Sequence, residues 1–259
     1  MKNLWFILIS LIIVGCTTPA PQATPLNDES MLLSVLWTQT SAEYQALAHQ
    51  AYNLAHLRLD ASLTRPHSKP LAIIADIDET VLNNTFYNAK EILVKQHYPD
   101  DFYAWIDSAR GLAIPGALKF TTYAASKGVT IFYVTNRRTR GAEGTIRNLR
   151  KLGFPNADSA HVLMKTNTSS KEPRRQRIMA DYDVVLLLGD NLVDFIDAGK
   201  ASVAERSALV DEHRDDFGNR FIILPNPMHG SWKKALYNFK TNLTPEDIRK
   251  QYLSHLQTF

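Results

Sequence analysis

Three acids, Asp76, Asp78 and Glu79, close the apolar run Ala72 to Ala75 in the stretch AIIADIDETVLNN. A carboxylate buried without a partner is costly, so acids at the end of an apolar strand need a crevice, a metal or a cationic side chain. Asp76 and Asp78 reach the same space, and their repulsion raises one pKa unless a cation intervenes. A divalent metal supplies that cation. Mg²⁺ in particular takes oxygen ligands from a few carboxylates, water and phosphate.

Other apolar runs end in similar groups. VTIFYVTNR ends at Thr135 and Asn136, and VVLLLGDNLVDF carries Gly189, Asp190, Asn191 and Asp194. Lys171 opens a helical segment after HVLMK, with Ser169 and Ser170 before it as candidate caps. Each group alone has an ordinary explanation: DxD arises by chance, Thr135 suits a turn and Lys171 suits the surface. Acids at successive strand ends are much harder to explain that way.

The elements that must carry these residues are visible in the hydropathy. LAIIA (from Leu71), VTIFYVT (from Val129), HVLM (from His161), DVVLLLG (from Asp183) and FIILP (from Phe221) read as strands. They are almost continuously apolar, as parallel strands covered on both faces are. Between them, IPGALKFTTYAASKG, RGAEGTIRNLRKLG, SKEPRRQRIMADY and LVDFIDAGKASVAERSALVDEH have helical spacing, and several end near Gly. This alternation predicts an α/β fold with a doubly wound parallel sheet over residues 69–85 and 112–232. In such sheets ligands bind outside the carboxyl ends of the strands, where the polar groups cluster.

The stretch between the first two strands is too long for a simple connection, and residues 86–111 read as an inserted, mainly helical cap rich in Phe, Tyr and Trp. Residues 31–68 carry apolar positions at spacings of three and four and predict helices, with Ser41 starting the second. Residues 233–259 read as a C-terminal helical segment. There is no internal repeat.

A net charge of +3 lacks the dense basic stripe of a nucleic-acid binder. Lys171, Arg174, Arg175 and Arg177 are local, and a solvated helix face explains them as well. The single cysteine, Cys16, excludes a disulfide or a Cys-based metal site within the chain. His49, His56, His67, His97, His161, His213 and His229 are scattered without ligand spacing.

Residues 1–15 have one Lys and then an apolar run too short for a comfortable span, the pattern of a signal peptide; an uncleaved anchor is the alternative. Ile13-Val14-Gly15-Cys16 resembles the bacterial lipobox, in which the Cys is lipidated. Thr17 follows where an inner-membrane retention signal usually places Asp, which favours the outer membrane. Residues 16–30, rich in Pro, Thr and Ala, read as a flexible tether.

DIDETVL, VTNR, Lys171 and GDNLVDF, in this order, resemble the four motifs of the haloacid dehalogenase superfamily. More narrowly, IADIDETVLNNTFY and LLGDNLVDF resemble the paired motifs of class C acid phosphatases. IPGALKF, VTNRR and ILPNPMHGSW resemble the lipoprotein acid phosphatases and 5′-nucleotidases within that class. The resemblance runs over roughly residues 32–232.

It implies a Mg²⁺-dependent phosphomonoesterase working through an aspartyl-phosphate, on 5′-nucleotides and related esters in the periplasm. Asp76 is then the nucleophile and Asp78 the general acid and base. Mg²⁺ is held by the Asp76 carboxylate, the Asp78 main-chain carbonyl and Asp190. Thr135 and the Asn136 N–H bind phosphoryl oxygens, and Lys171 offsets charge. Asp194 orients Lys171 or metal-bound water, and Asn83 hydrogen-bonds near the first motif. A homodimer is typical of the family.

The chain departs from the pattern in places. His229 stands where a base-stacking aromatic is expected, Lys233 where an acid is usual, and Phe102-Tyr103-Ala104-Trp105 where Trp-x-x-Trp is expected. Phe102 and Trp105 suit a pocket wall or a cap core equally. The competing readings are a phosphotransferase on the same scaffold and a nucleotide- or haem-binding lipoprotein.

Overall fold

The computed structural model describes residues 26–94 and 100–259. Five parallel strands, β1 (Leu71–Ala75), β4 (Thr130–Arg138), β5 (Val162–Lys165), β6 (Asp183–Gly189) and β7 (Phe221–Ile223), form one sheet in the order β5-β4-β1-β6-β7. The chain winds outward from β1 to β5, then crosses back to β6 and β7. The reversal therefore falls between β1 and β6, where an open α/β sheet leaves a crevice.

Helices cover both faces. On one side Ile73, Ala75 and Tyr133 pack against α2 (Ala42–Leu63), α5 (Ala117–Ser126) and α6 (Ala142–Leu152), through Ala48, Tyr52, Leu59, Phe120 and Leu149. On the other, Ile74, Phe132 and Leu187 meet Ile178 of α7 (Glu172–Asp181), Phe195 and Phe221. Ile73 and Ile74 thus serve opposite layers, as alternation along a strand requires. Two buried faces explain why the strands are apolar runs rather than alternating patterns.

Two helices, α3 (Thr85–Val94) and α4 (Asp100–Ser108), occupy the stretch read as a cap. Its stem is a two-residue antiparallel pair, β2 (Leu82–Asn83) with β3 (Leu112–Ala113). Asn148 of α6 clamps this stem, accepting from Gly111 N and donating to Gly111 O, both at 2.9 Å. Gly144 lets α4 lie against α6, because a Cβ there would sit 2.6 Å from the carbonyl oxygen of Ile106. The remaining helices are α1 (Leu26–Thr40), α8 (Val203–Glu212), α9 (Ser231–Ala235) and α10 (Pro245–Ser254).

Two segments differ from expectation. First, α1 begins at Leu26, inside the stretch read as tether. Ser41 does start the next helix, accepting a hydrogen bond from Tyr44 N at 3.1 Å. Second, the segment with helical spacing that begins at Leu192 is not one helix. It holds a single 3-10 turn, Leu192–Asp194, and then a loop before α8. Asp194 turns back to accept from Asp190 N and Asn191 N, and Ser202 caps a fresh helix with Glu205 in a capping box. The signal peptide, Cys16 and most of the tether lie outside the described residues. Among the described residues no helix is long and apolar enough to cross a membrane.

Candidate active site

The carboxyl ends of β1 and β6 bring the first and last motifs together. Asp76 follows β1, and its N–H extends the ladder to Leu188 O at 2.9 Å. Asp190 follows β6. Lys171, at the start of α7, is buried and donates its Nζ to Asp76 Oδ1 and to Asp194 Oδ1, the latter at 2.6 Å. Asp194 Oδ2 is held by the N–H groups of Asp190 and Asn191 at 3.2 and 2.9 Å. Thr80 Oγ1 lies 3.0 Å from Asp190 Oδ1 and 3.5 Å from Asp76 Oδ2, and Asn226 donates to Asp190 Oδ2 at 2.7 Å.

The electrostatics are those of crowded buried acids. Burial first, then Asp194 and Asp78, push Asp76 up to about 7 despite the opposing Lys171. Burial, Asp194 and Asp76 likewise push Asp190 well above the usual carboxylate range. Burial disfavours the Lys171 charge, but Asp194 and Asp76 outweigh it and raise the ammonium. Burial and Asp78 raise Glu79 to about 8. Glu79 also holds a left-handed backbone, φ 58°, and accepts from Asn84 N at 2.9 Å.

Asp78 is held differently. Burial works against its charge, but Arg137 and Asn84 prevail and hold it below the usual range. Arg137 Nε and Nη2 donate to Asp78 Oδ1 at 3.0 and 2.8 Å, and Asn84 Nδ2 donates to the same oxygen at 2.7 Å. The Arg137 guanidinium is anchored by Thr145 Oγ1 at 3.0 Å and lies 5.7 Å from the Phe102 ring centroid.

Carboxylate oxygens of Asp76, Asp190 and Asp194 lie within 4.8 Å of one another. Asp194 is committed to Lys171 and two backbone N–H groups, whereas among the described residues Asp190 meets only the neutral donors Thr80 and Asn226, and Asp76 Oδ2 has only Thr80 at 3.5 Å. Two buried carboxylates that repel one another, with hard oxygen donors only, fit a divalent cation such as Mg²⁺. They do not fit a soft metal.

A cavity of about 730 Å³ opens over these groups. Asp76, Asp78, Asp190, Asn136 and Lys171 line it, together with His229, Lys234 and Phe239.

Comparison with known proteins decides the family. The family described as HAD superfamily, subfamily IIIB (acid phosphatase) matches residues 19–232. The chain belongs to this family. The class C acid phosphatase from Bacillus anthracis is similar over 91% of this chain and 100% of its own, with a TM-score of 0.88 and 38% identity. A structure of that class C enzyme with tungstate bound matches equally, at 0.88 and 38%. Acid phosphatase 1 of Solanum lycopersicum is 26% identical over 166 residues, 60% of this chain. The match spans 57% of that protein's length.

In this acid phosphatase family member the motif residues do not all face the cavity. Asp76, Asp78, Asn136, Lys171, Asp190, Asp194 and His229 line it. Thr135 is fully buried beneath them, and its Oγ1 accepts from Arg137 N at 3.0 Å. Asn83 does not contact the motif acids; its Oδ1 caps α3 through Thr85 N at 2.8 Å. Phe102 and Trp105 are not among the lining residues. Phe102 packs on Tyr87, centroids 5.1 Å apart, and Trp105 Nε1 donates to Asn84 Oδ1 at 2.8 Å. Both therefore brace the residues that hold Asp78. Burial, then Lys233, depress the His229 imidazole to about 4, so its ring is neutral near pH 7.

Sequence reasoning missed Arg137, Thr80, Asn84 and Asn226. Arg137 had a signal: it stands two residues beyond Thr135 on β4, hence on the same face. Thr80 also had one, four residues after Asp76 in the DIDET motif.

Proposed function

We propose that the chain hydrolyses phosphomonoesters in two steps at Asp76. The observation that carries this is the buried Asp76, paired with Lys171 and facing Asp190 at the switch point of the sheet. In the first step an Asp76 oxygen attacks phosphorus, an O–P bond forms, and the ester P–O bond breaks. The departing alkoxide takes its proton from Asp78. In the second step Asp78, now a carboxylate, takes a proton from water as the water oxygen attacks phosphorus, and Asp76 is released.

Lys171 stabilises the negative charge of the phosphoryl oxygens from one side, and Asp194 fixes the Lys171 ammonium in place. Asn136 lines the cavity from β4 and is the candidate there for binding phosphoryl oxygens, while Thr135, buried behind it, holds the backbone of this stretch through Arg137 N. Mg²⁺ held by Asp76, Asp190 and the Asp78 carbonyl supplies charge neutralisation at the phosphoryl group when bound. Phosphoryl transfer chiefly requires such positioning and neutralisation.

The proposed substrates are 5′-nucleotides and related esters. His229 and Phe239 are ring side chains among the residues lining the same cavity, which suits a base. The proposed location is the outer membrane, facing the periplasm, through lipidated Cys16; the lipobox residues and Thr17 support it.

The test is phosphate release from AMP and p-nitrophenyl phosphate by the full chain in detergent, with Mg²⁺ and with EDTA. Release that EDTA abolishes and Mg²⁺ restores is expected. Release indifferent to EDTA contradicts the metal assignment, and no release from either ester contradicts the hydrolase reading.

A further inference from the structure

Charge changes sign between the floor of the cavity and its rim. The floor is acidic, whereas Lys200 and Lys234 line the same cavity from the loop before α8 and from α9. At the far end of β4 and β5, Arg138 and Lys165 stand directly opposite one another in the strand register. Like charges paired across neighbouring strands are destabilising. Lys165 reaches toward the cavity wall, its Nζ donating to Ser169 Oγ at 2.6 Å, and Ser169 is a lining residue. Burial, then Arg138, Lys234 and Arg174, disfavour the charge on Lys165.

Among the described residues none of Arg138, Lys165, Lys200 and Lys234 has a carboxylate within ion-pair distance. Arg174 is different: its guanidinium is spent on Thr135 O, Asn136 Oδ1 and Ser170 O at 2.5, 2.8 and 3.1 Å. Asp197, an acid on this side of the cavity, accepts from Ser170 Oγ at 3.0 Å. The scissile phosphate, for its part, is served by Lys171 and the metal-binding acids. These cations are therefore surplus to it, and they come from four separate segments: Lys200 and Lys234 line the cavity, and Arg138 and Lys165 stand just beyond Ser169 of its wall.

We propose that this rim is a second anion subsite, and that the preferred substrates carry a second phosphate beyond the one hydrolysed. The proposal rests on the phosphatase reading of the same cavity. Such a substrate spans from Asp76 to the Arg138–Lys165 end, so the distance between its two phosphates matters.

The experiment compares kcat/KM for bisphosphates of straight-chain α,ω-diols with that for the matching monophosphates, over a range of chain lengths. The full chain is used in detergent with Mg²⁺. The expected result is a preference for the bisphosphate of about tenfold at one chain length. That preference falls as ionic strength rises, and it falls in Lys165→Gln, Lys234→Gln and their double variant. Arg140→Gln serves as control, since Arg140 lies over the Tyr103 ring of the cap, 4.6 Å from its centroid; the preference persists there. The salt series needs no variant, so it decides the matter if a substitution unfolds the protein. Turnover of both esters with no preference beyond the statistical factor for two equivalent phosphates overturns the second subsite and leaves the phosphatase reading standing. No turnover of any ester overturns both.

Discussion

Gly189 tests the packing of the site without replacing a charged group. It ends β6 immediately before Asp190, and its φ lies outside the left-handed region, so alanine fits the backbone. Space is the difficulty. A Cβ there would sit 2.5 Å from Asp194 Oδ2 and 2.7 Å from its Cγ, where ordinary contact begins near 3.4 Å. In Gly189→Ala, Asp194 must therefore retreat by about 1 Å. Its Oδ2 would leave the N–H groups of Asp190 and Asn191, and its Oδ1 would release Lys171. Overpacking alone costs about 1–3 kcal/mol. Breaking a buried ion pair costs roughly 3–5 kcal/mol when one charge is left unmatched, and Asp76 still pairs with Lys171, so the lower part of the combined range applies. We expect a loss of about 4 kcal/mol by urea denaturation. Misplacing Lys171 by a similar distance lowers kcat for p-nitrophenyl phosphate by about a hundredfold. Gly153→Ala is the comparison: φ is +87° with nothing within 4 Å, at the C-cap of α6. Strain alone costs about 1–2 kcal/mol there, with kcat unchanged. A Gly189→Ala protein with wild-type kcat and denaturation midpoint would refute the placement of Asp194.

Arg137→Gln removes the cation that depresses Asp78. Asp78 must be protonated to serve the leaving alkoxide, so activity falls as pH rises through its pKa; raising that pKa moves the alkaline limb of the kcat profile to higher pH. A depressed carboxylate stabilises the fold above its unfolded pKa and loses that contribution as pH falls through the folded one. The variant therefore loses about 3 kcal/mol at neutral pH, measured by denaturation, and less in acid; an unmoved alkaline limb contradicts the role of Asp78. Asp190→Asn raises the Mg²⁺ concentration needed for half-maximal activity, by more than about tenfold, and an unchanged requirement removes Asp190 from the metal set. Ser41→Ala costs about 1 kcal/mol by denaturation through the lost cap of α2, with kcat unaltered; a change in kcat would mean that α2 reaches the site.

The parallel sheet was legible because its strands are buried on both faces, so Leu71–Ala75 and Asp183–Gly189 appear as bare apolar runs. The motif acids were legible because strand ends in such a sheet face one crevice. What pairing does to them was not. Asp78 and Arg137 lie far apart in sequence, and only the stem of the cap and the end of β4 bring Asn84 and Arg137 onto one oxygen. The break after Leu192–Asp194 was hidden for a similar reason. Leu192 and Phe195 have helical spacing, but Asp194 spends its side chain on the backbone behind it. Phe102 and Trp105 were ambiguous by type, since an aromatic cap residue serves a wall or a brace equally well. Position alone separates the two, through Tyr87 and Asn84.

The central claim is that Asp76 carries the phosphoryl group. The most direct measurement is to quench the full chain with acid during turnover of a phosphomonoester, reduce it with borohydride and sequence the peptides by mass spectrometry. An aspartyl-phosphate is reduced to homoserine, so homoserine at position 76 in the wild type, and none in Asp76→Asn, is the expected result. Homoserine at another aspartate, or steady turnover by Asp76→Asn, contradicts the account.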